Sequence, residues 1–444
     1  MRDRTGTVRT QRNACVLLTR RTLNSHTMLR ILNRHRRVIN ESFRTYIALS
    51  SGNGDFGRLG HEAIEVEFGE QTNYSLQTFH PLAGLEGIDV RHVAAGGAHS
   101  AFLTSCGHVF TCGLNEFGQL GHSSGVKFVC EPKLVEVDAQ IVYVAAGHHH
   151  TVCVDIDGHI WSFGKNTGGQ LGIGQRDGFF PVKVETLARE ARVKQVACGA
   201  EHTIALCDKG RVFSWGTSTD GALGHGESET WNKGWFYRTP KIEFNPRLVR
   251  SLLEQNVVTV AAGYAHSACI ASTGDLYTWG QGRFNQLGLN RISDYQATPS
   301  IVESLQVVTD VACGGLHTLA KTNAGVLSWG ANQHGELGLG RSEDRKSQTP
   351  RPIKRSSQGW SKLAAGWKHS AGISNGKLFT WGFGGSVGSH SEESLSSGGQ
   401  LGLGNEFDFW EPQCVSVPGE VKDVSLGFNH SLVLVDTSAQ VKLF

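Results

Sequence analysis

Proline is scarce in this chain, 10 of 444 residues, and methionine scarcer, 2 of 444. With glycine at 56, so little proline excludes a collagen repeat and argues against a Pro-rich disordered chain. No stretch approaches the run of about 18 apolar residues that a membrane-spanning helix needs. The ten cysteines stand at 15, 106, 112, 130, 153, 198, 207, 269, 313 and 414 and form no C-x-x-C pair, which leaves a metal knuckle or a dense disulfide framework unsupported. A reducing compartment is the simplest reading. Catalytic signatures are missing too. The glycine-rich turns lack the lysine and hydroxyl of a Walker motif, and there is no G-x-S-x-G elbow and no H-E-x-x-H pair. Nothing here argues for catalysis, a metal or a cofactor.

Charge is distributed unevenly. Residues 1–46 hold eleven arginines, no lysine and two acids, Asp3 and Glu41, while the rest of the chain has 31 basic and 38 acidic residues, a net of −7. An Arg-rich, Ser/Thr-bearing, acid-poor leader has the composition of an organellar transit peptide, here mitochondrial. The alternatives are a basic arm that binds nucleic acid, or sequence preceding a true start at Met28. Residues 1–44 are therefore set apart from the folded body, 45–444.

The body repeats. A Gly-x-x-His followed by Ser or Thr occurs at Gly96/His99, Gly147/His150, Gly199/His202, Gly263/His266, Gly314/His317, Gly366/His369 and Gly427/His430. A second marker, Leu-Gly, begins at Leu59, Leu120, Leu171, Leu223, Leu287, Leu337 and Leu401. Both count seven units of about 51 residues, two of them lengthened.

Within each unit a pentapeptide such as VFSWG, LYTWG or LFTWG places an aliphatic residue, a large residue, a hydroxyl and an aromatic before glycine. Alternation along a strand puts Phe213 with Trp215, and Tyr277 with Trp279, on one face, while the aliphatic and hydroxyl residues take the other. Apolar groups on both faces demand cover on both sides. Small sheets repeated radially about an axis satisfy that demand, so the expected fold is all-β, a seven-bladed β-propeller of four-stranded antiparallel blades. A β-solenoid is the runner-up. A degenerate copy, ALSSG at 48–52, competes with the final VKLF at 441–444 for one strand position. The ring is expected to close by pairing of the N- and C-terminal segments.

AAGGAHS ending at Ser100, VACGAEHT ending at Thr203, AAGYAHS ending at Ser267 and FSWGTSTDGALGHG ending at Gly226 resemble repeats of the Regulator of Chromosome Condensation family over about 45–444. The resemblance implies a seven-bladed propeller and three lines of function: guanine nucleotide exchange on a small GTPase, ultraviolet-B reception, and organellar RNA processing or ribosome biogenesis. The net acidic body departs from a chromatin-bound exchange factor. Only one motif, GWKHS with Trp367 and Lys368, approaches the GWRHT that the photoreceptor line uses. The arginine-rich leader favours the organellar line.

The repeated glycines and histidines are expected to be structural, the histidine nitrogens tying loops near the axis rather than holding a metal; His148, His149 and His150 are the place where a metal would first be sought. Partner contacts are expected where the repeat is broken, at about 62–80, 226–248 and 383–399. The first carries Glu62, Glu65, Glu67 and Glu70, and the third is Ser/Gly-rich. The second carries Trp231, Lys233, Trp235, Phe236, Tyr237 and Arg238, aromatics with cations suited to a protein interface or a single-stranded nucleic-acid platform, or to covering a blade edge. The functional expectation is a noncatalytic scaffold for a protein or ribonucleoprotein partner, RNA included, with an exchange factor as the alternative; the sequence is silent on oligomeric state.

Overall fold

The computed structural model describes residues 46–62, 74–122, 125–176, 178–226, 229–231, 238–290, 293–341, 344–355, 357, 359–385 and 398–438. These form seven four-stranded antiparallel sheets. Blade 4 shows the plan: inner strand Val257–Ala262, second strand His266–Ala271, third strand Leu276–Gln281 and outer strand Tyr295–Ile301. Blades 1 to 6 each use strands in chain order, a separate two-stranded ribbon intervening in blade 3, while the seventh takes its inner pair, Glu420–Leu426 and His430–Asp436, from the end of the described chain and its outer pair, Tyr46–Asn53 and Ser75–Pro81, from the beginning. Tyr46 pairs with Asp436 and Gly52 with His430, so ALSSG occupies the third-strand position. The competing VKLF lies outside the described residues.

The pentapeptide strands are buried on both faces. Trp215, Trp279, Trp329 and Trp381 are fully enclosed, each packed between its own blade and the preceding one. Trp279, for example, joins Ile204, Leu206, Val212 and Val249 of blade 3 in one core cluster. Enclosing one such aromatic buries about 150–250 Å² of surface, so the junctions between blades supply much of the hydrophobic stabilisation.

Hydrogen bonds then run around the ring. In every blade the histidine Nε2 meets the Ser or Thr hydroxyl that follows the next blade's histidine: His99–Thr151, His150–Thr203, His202–Ser267, His266–Thr318, His317–Ser370, His369–Ser431 and His430–Ser100, at 2.8 to 3.2 Å. Each hydroxyl donates its own proton to a backbone carbonyl beside a Leu-Gly turn, as from Ser100 to Arg58 (2.6 Å) and from Thr318 to Gln286 (2.8 Å). Its oxygen must therefore accept from the ring, which fixes each histidine as the neutral Nε2–H tautomer. Nδ1 of His99, His150, His266, His369 and His430 is left buried without a partner, as a bare lone pair.

The two repeated glycines serve different ends. A methyl group on Gly147 would stand 2.7 Å from the carbonyl oxygen of Gly199 in the next blade, so that position needs empty space. The Leu-Gly glycines Gly60, Gly121, Gly172, Gly224, Gly288, Gly338 and Gly402 all have φ between 66° and 79°, the left-handed region that glycine enters without steric cost.

Candidate functional site

Each strand order puts the Gly-x-x-His turns and the third-to-outer connections at the same end of the disc. All three departures from the repeat lie in third-to-outer connections, of blades 7, 3 and 6, and so share one face. Ser75–Pro81 overlaps the end of the first expected departure and Ile242–Leu248 that of the second, and both are outer strands. Outer strands are half-exposed and lack two-faced apolar patterning, which is why they read as loop. In the second connection Glu229–Trp231 pairs with Arg238–Pro240 in a two-stranded ribbon, with Trp231 opposite Arg238. Lys233, Trp235, Phe236 and Tyr237 lie outside the described residues, as do Glu65, Glu67 and Glu70.

At the centre of the same face four rings close a circle over the axis. His148 stacks on Phe428 with centroids 5.3 Å apart, Phe428 on Trp367 at 4.5 Å, Trp367 meets Tyr264 edge-on at 4.5 Å, and Tyr264 returns to His148 at 6.1 Å. All four occupy the residue after the repeated glycine, where blades 1, 3 and 5 carry Gly97, Ala200 and Gly315. Backbone bonds between successive blades hold these turns: Gly97 donates to Gly147, His148 to Gly199, Tyr264 to Gly314, Gly315 to Gly366, Trp367 to Gly427 and Phe428 to Gly96, at 3.0 to 3.3 Å. The dome is half-buried, Tyr264 being the most open at 38%. Its rim mixes charge and apolar surface, with Lys165 paired to Glu201 (2.9 Å), Lys368 over the ring of Phe383 (5.5 Å), and Leu316. The sequence held the signal in the second residue of G-x-x-H, but it was read there only as a photoreceptor-type departure.

Beneath the dome the inner strands line the axis. Every one of the seven has a register shift near its start, after which stand His92, Tyr143, Gln195, Thr259, Asp310, Lys362 and Asp423; His92, Tyr143 and Lys362 line the axial cavity. Two residues on stand Ala94, Ala145, Ala197, Ala261, Ala312, Ala364 and Ser425, small enough for seven strands to converge. Asp423 accepts from Lys362 on one side and contacts His92 Nδ1 on the other (2.7 Å), while Tyr143 stacks on His92 at 4.9 Å. Burial works to raise the Asp423 carboxyl, but Lys362 and His92 overcome it and hold it well below the usual carboxylate range.

The triple histidine separates into different roles: His150 belongs to the inter-blade ring, and His148 and His149 stack on each other at 4.0 Å. Asp155, Asp157 and His159 bring possible ligand atoms within 4.8 Å of one another. The Asp155 carboxylate is already committed, accepting from the backbone of Asp157 and His159 and from Trp161 Nε1, with His159 Nδ1 at 3.2 Å. That arrangement pins a turn. Among the described residues no helix is long and apolar enough to cross a membrane.

A closed propeller with a ring-locked body and one elaborated face is a framework for presenting a recognition surface. The chain belongs to the RCC1-like domain family, which matches residues 47–433. It is 33% identical to the Ultraviolet-B receptor UVR8 of Arabidopsis thaliana over 78% of this chain and 74% of that one. It is 31% identical to the Secretion-regulating guanine nucleotide exchange factor of Mus musculus over 79% of this chain and 77% of that one. It is also 31% identical to the RCC1 domain-containing protein RUG3, mitochondrial, of Arabidopsis thaliana, over 65% and 62%. Among solved structures, human WBSCR16 superposes with a TM-score of 0.74 at 23% identity, covering 89% of this chain and all of that one, a likeness of fold.

Proposed function

We propose that this protein is a noncatalytic propeller that gathers a protein or ribonucleoprotein partner on the face bearing the aromatic dome, in mitochondria, in RNA processing or ribosome biogenesis. The observation that carries the reading is the coincidence of the dome with all three lengthened connections on one face. Clustered Trp, Tyr and Phe at the centre of a surface with a polar rim is the composition of an interaction hot spot. The mitochondrial part rests on the arginine-rich leader and on the name of the RUG3 relative. The test is quantitative capture from mitochondria with wild type, with Tyr264→Ala plus Trp367→Ala, and with Lys194→Glu on the opposite face. Loss of the same partners from the dome variant alone supports the reading; identical partner sets from all three would sink it. Import of the full chain into isolated mitochondria tests the compartment, through protease protection and shortening of the amino terminus.

A second reading is favoured by the exchange-factor relative: the same face would hold a small GTPase in its nucleotide-empty form, shifting its population without bond chemistry. Accelerated nucleotide release from a candidate GTPase, lost in the dome variant, selects it.

A further inference from the structure

Two clefts on the dome face combine aromatic rings with cations. The first, of about 340 Å³, lies where blades 1, 2 and 3 meet and is lined by Phe117, Phe179, Phe244, Lys165 and Arg176. The second, of about 560 Å³, lies between blades 4 and 5 and is lined by Phe284, Arg283, Arg345 and Lys346, with Asp344 as its one acid. Phe117 and Phe284 hold the same repeat position, third before the Leu of Leu-Gly, and each closes a backbone hydrogen bond to the amide oxygen of the glutamine two residues on, Gln119 or Gln286, at 2.9 Å. The backbone that carries each half-buried ring is therefore pinned. Lys165 is held at 5.7 Å over Phe117 while pairing with Glu201, and Arg283 lies 3.6 Å from Asp220. Arg176, Arg345 and Lys346 are exposed, Arg176 being anchored through Nε to the Ile173 carbonyl at 2.8 Å.

Five cations line the clefts; Asp344 among them, and Glu201 and Asp220 beside Lys165 and Arg283, leave a local excess of two positive charges on a body whose residues 47–444 carry a net charge of −7. A polyanion is disfavoured by the net charge of the body and favoured by this local excess. Half-exposed rings beside cations are the elements of single-strand recognition: a base stacks on the ring while a cation neutralises its phosphate. Phe244 belongs to blade 3 and Arg283 to blade 4, so the clefts draw on adjacent blades of the same face. Thr167, Gln175, Gln333 and Gln348 add hydroxyl and amide groups able to meet a ribose 2′-OH.

We propose that the two clefts form one path for single-stranded RNA, which deepens the ribonucleoprotein reading above and depends on it. The test is fluorescence anisotropy with the purified full chain and a labelled single-stranded RNA of about 15 nucleotides, alongside the DNA of the same sequence and the RNA duplex. Saturable binding is expected, tightest for the single-stranded RNA. Phe117→Ala and Phe284→Ala should each weaken it by about 5- to 100-fold. Arg345→Ala with Lys346→Ala should flatten the log–log salt dependence by about 1.4, or 0.7 for each lost phosphate contact. Lys194→Glu on the opposite face should leave binding unchanged, and melting curves establish that each variant is folded. Absence of saturation, indifference to both Phe substitutions, or equal affinity for the DNA or the duplex would each overturn the proposal. Partner capture that still depends on Tyr264 and Trp367 would, in that event, leave the broader function standing.

Discussion

His430 and Ser100 are 330 residues apart in sequence and 3.0 Å apart in space, joined by the hydrogen bond that carries the histidine ring across the seam between the last blade and the first. Ser100 both accepts from the ring and donates to Arg58, so its hydroxyl serves two buried groups. Ser100→Ala should cost about 1–3 kcal/mol, because a buried donor and a buried carbonyl lose their partner together. Ser100→Thr, the residue that three of the other six blades use, should restore most of it. Thermal unfolding of the two variants checks this, and equal melting temperatures for Ala and Thr would contradict the dual role.

Burial holds the ring histidines neutral: His99, His266 and His369 are pushed down to about 3, His202 and His317 to about 4, and His150 and His430 well below the usual imidazole range. Each titrates lower in the folded state than in the unfolded chain, so below the unfolded value near 6.5 the unfolded chain binds the extra proton and is favoured. This stability is complete above pH 6.5 and is lost as pH falls toward the folded values. At pH 5.5 each histidine forfeits about 1.4 kcal/mol, so seven together rival the whole stability of a typical domain. Melting temperature should therefore drop steeply between pH 6.5 and 5, and a His266→Gln variant, although less stable at pH 7.5, should show a shallower slope. A flat profile over that range would contradict the assignment.

Gly147→Ala separates the two uses of glycine. The added methyl has no room against the Gly199 carbonyl, and overpacking of this kind costs about 1–3 kcal/mol. Gly125→Ala, where an added methyl meets nothing within 4 Å, should be within about 0.5 kcal/mol of wild type. Denaturant unfolding of the pair distinguishes a steric requirement from a general cost of losing glycine.

Asp423 is the hinge of the axial belt. Asp423→Asn keeps the shape but strips Lys362 of its counter-charge, and should cost up to about 3 kcal/mol, given that the lysine retains some access to the axis. A Lys362→Met, Asp423→Leu double variant should recover much of that loss, because an apolar pair replaces an ion pair instead of orphaning one member. A double-mutant cycle measured by denaturant unfolding gives the coupling directly.

The repeat markers made the ring legible in the sequence, because a propeller spends the same residues seven times: the G-x-x-H turn, the hydroxyl after it and the Leu-Gly turn each serve every junction. The closing pairing of residues 46–53 with 430–436 was legible for the same reason, since ALSSG is a copy of the third-strand pentapeptide. Outer strands such as Ile242–Leu248 were not, because a half-exposed edge needs no fixed pattern. The dome escaped because its four members are neighbours only after the chain has closed on itself; in sequence Tyr264 and Trp367 stand in a variable column that also holds Gly97, His148, Ala200, Gly315 and Phe428. The axial belt was hidden by the register shifts, which break the simple alternation that assigns a side chain its direction.

The pairing of Tyr46 with Asp436 carries a practical corollary. Among the described residues the chain enters and leaves the propeller side by side, on the face opposite the dome. A tether fused directly at Tyr46 or just after Asp436 would project from the underside of the disc, so protein immobilised there should display its aromatic centre to solution.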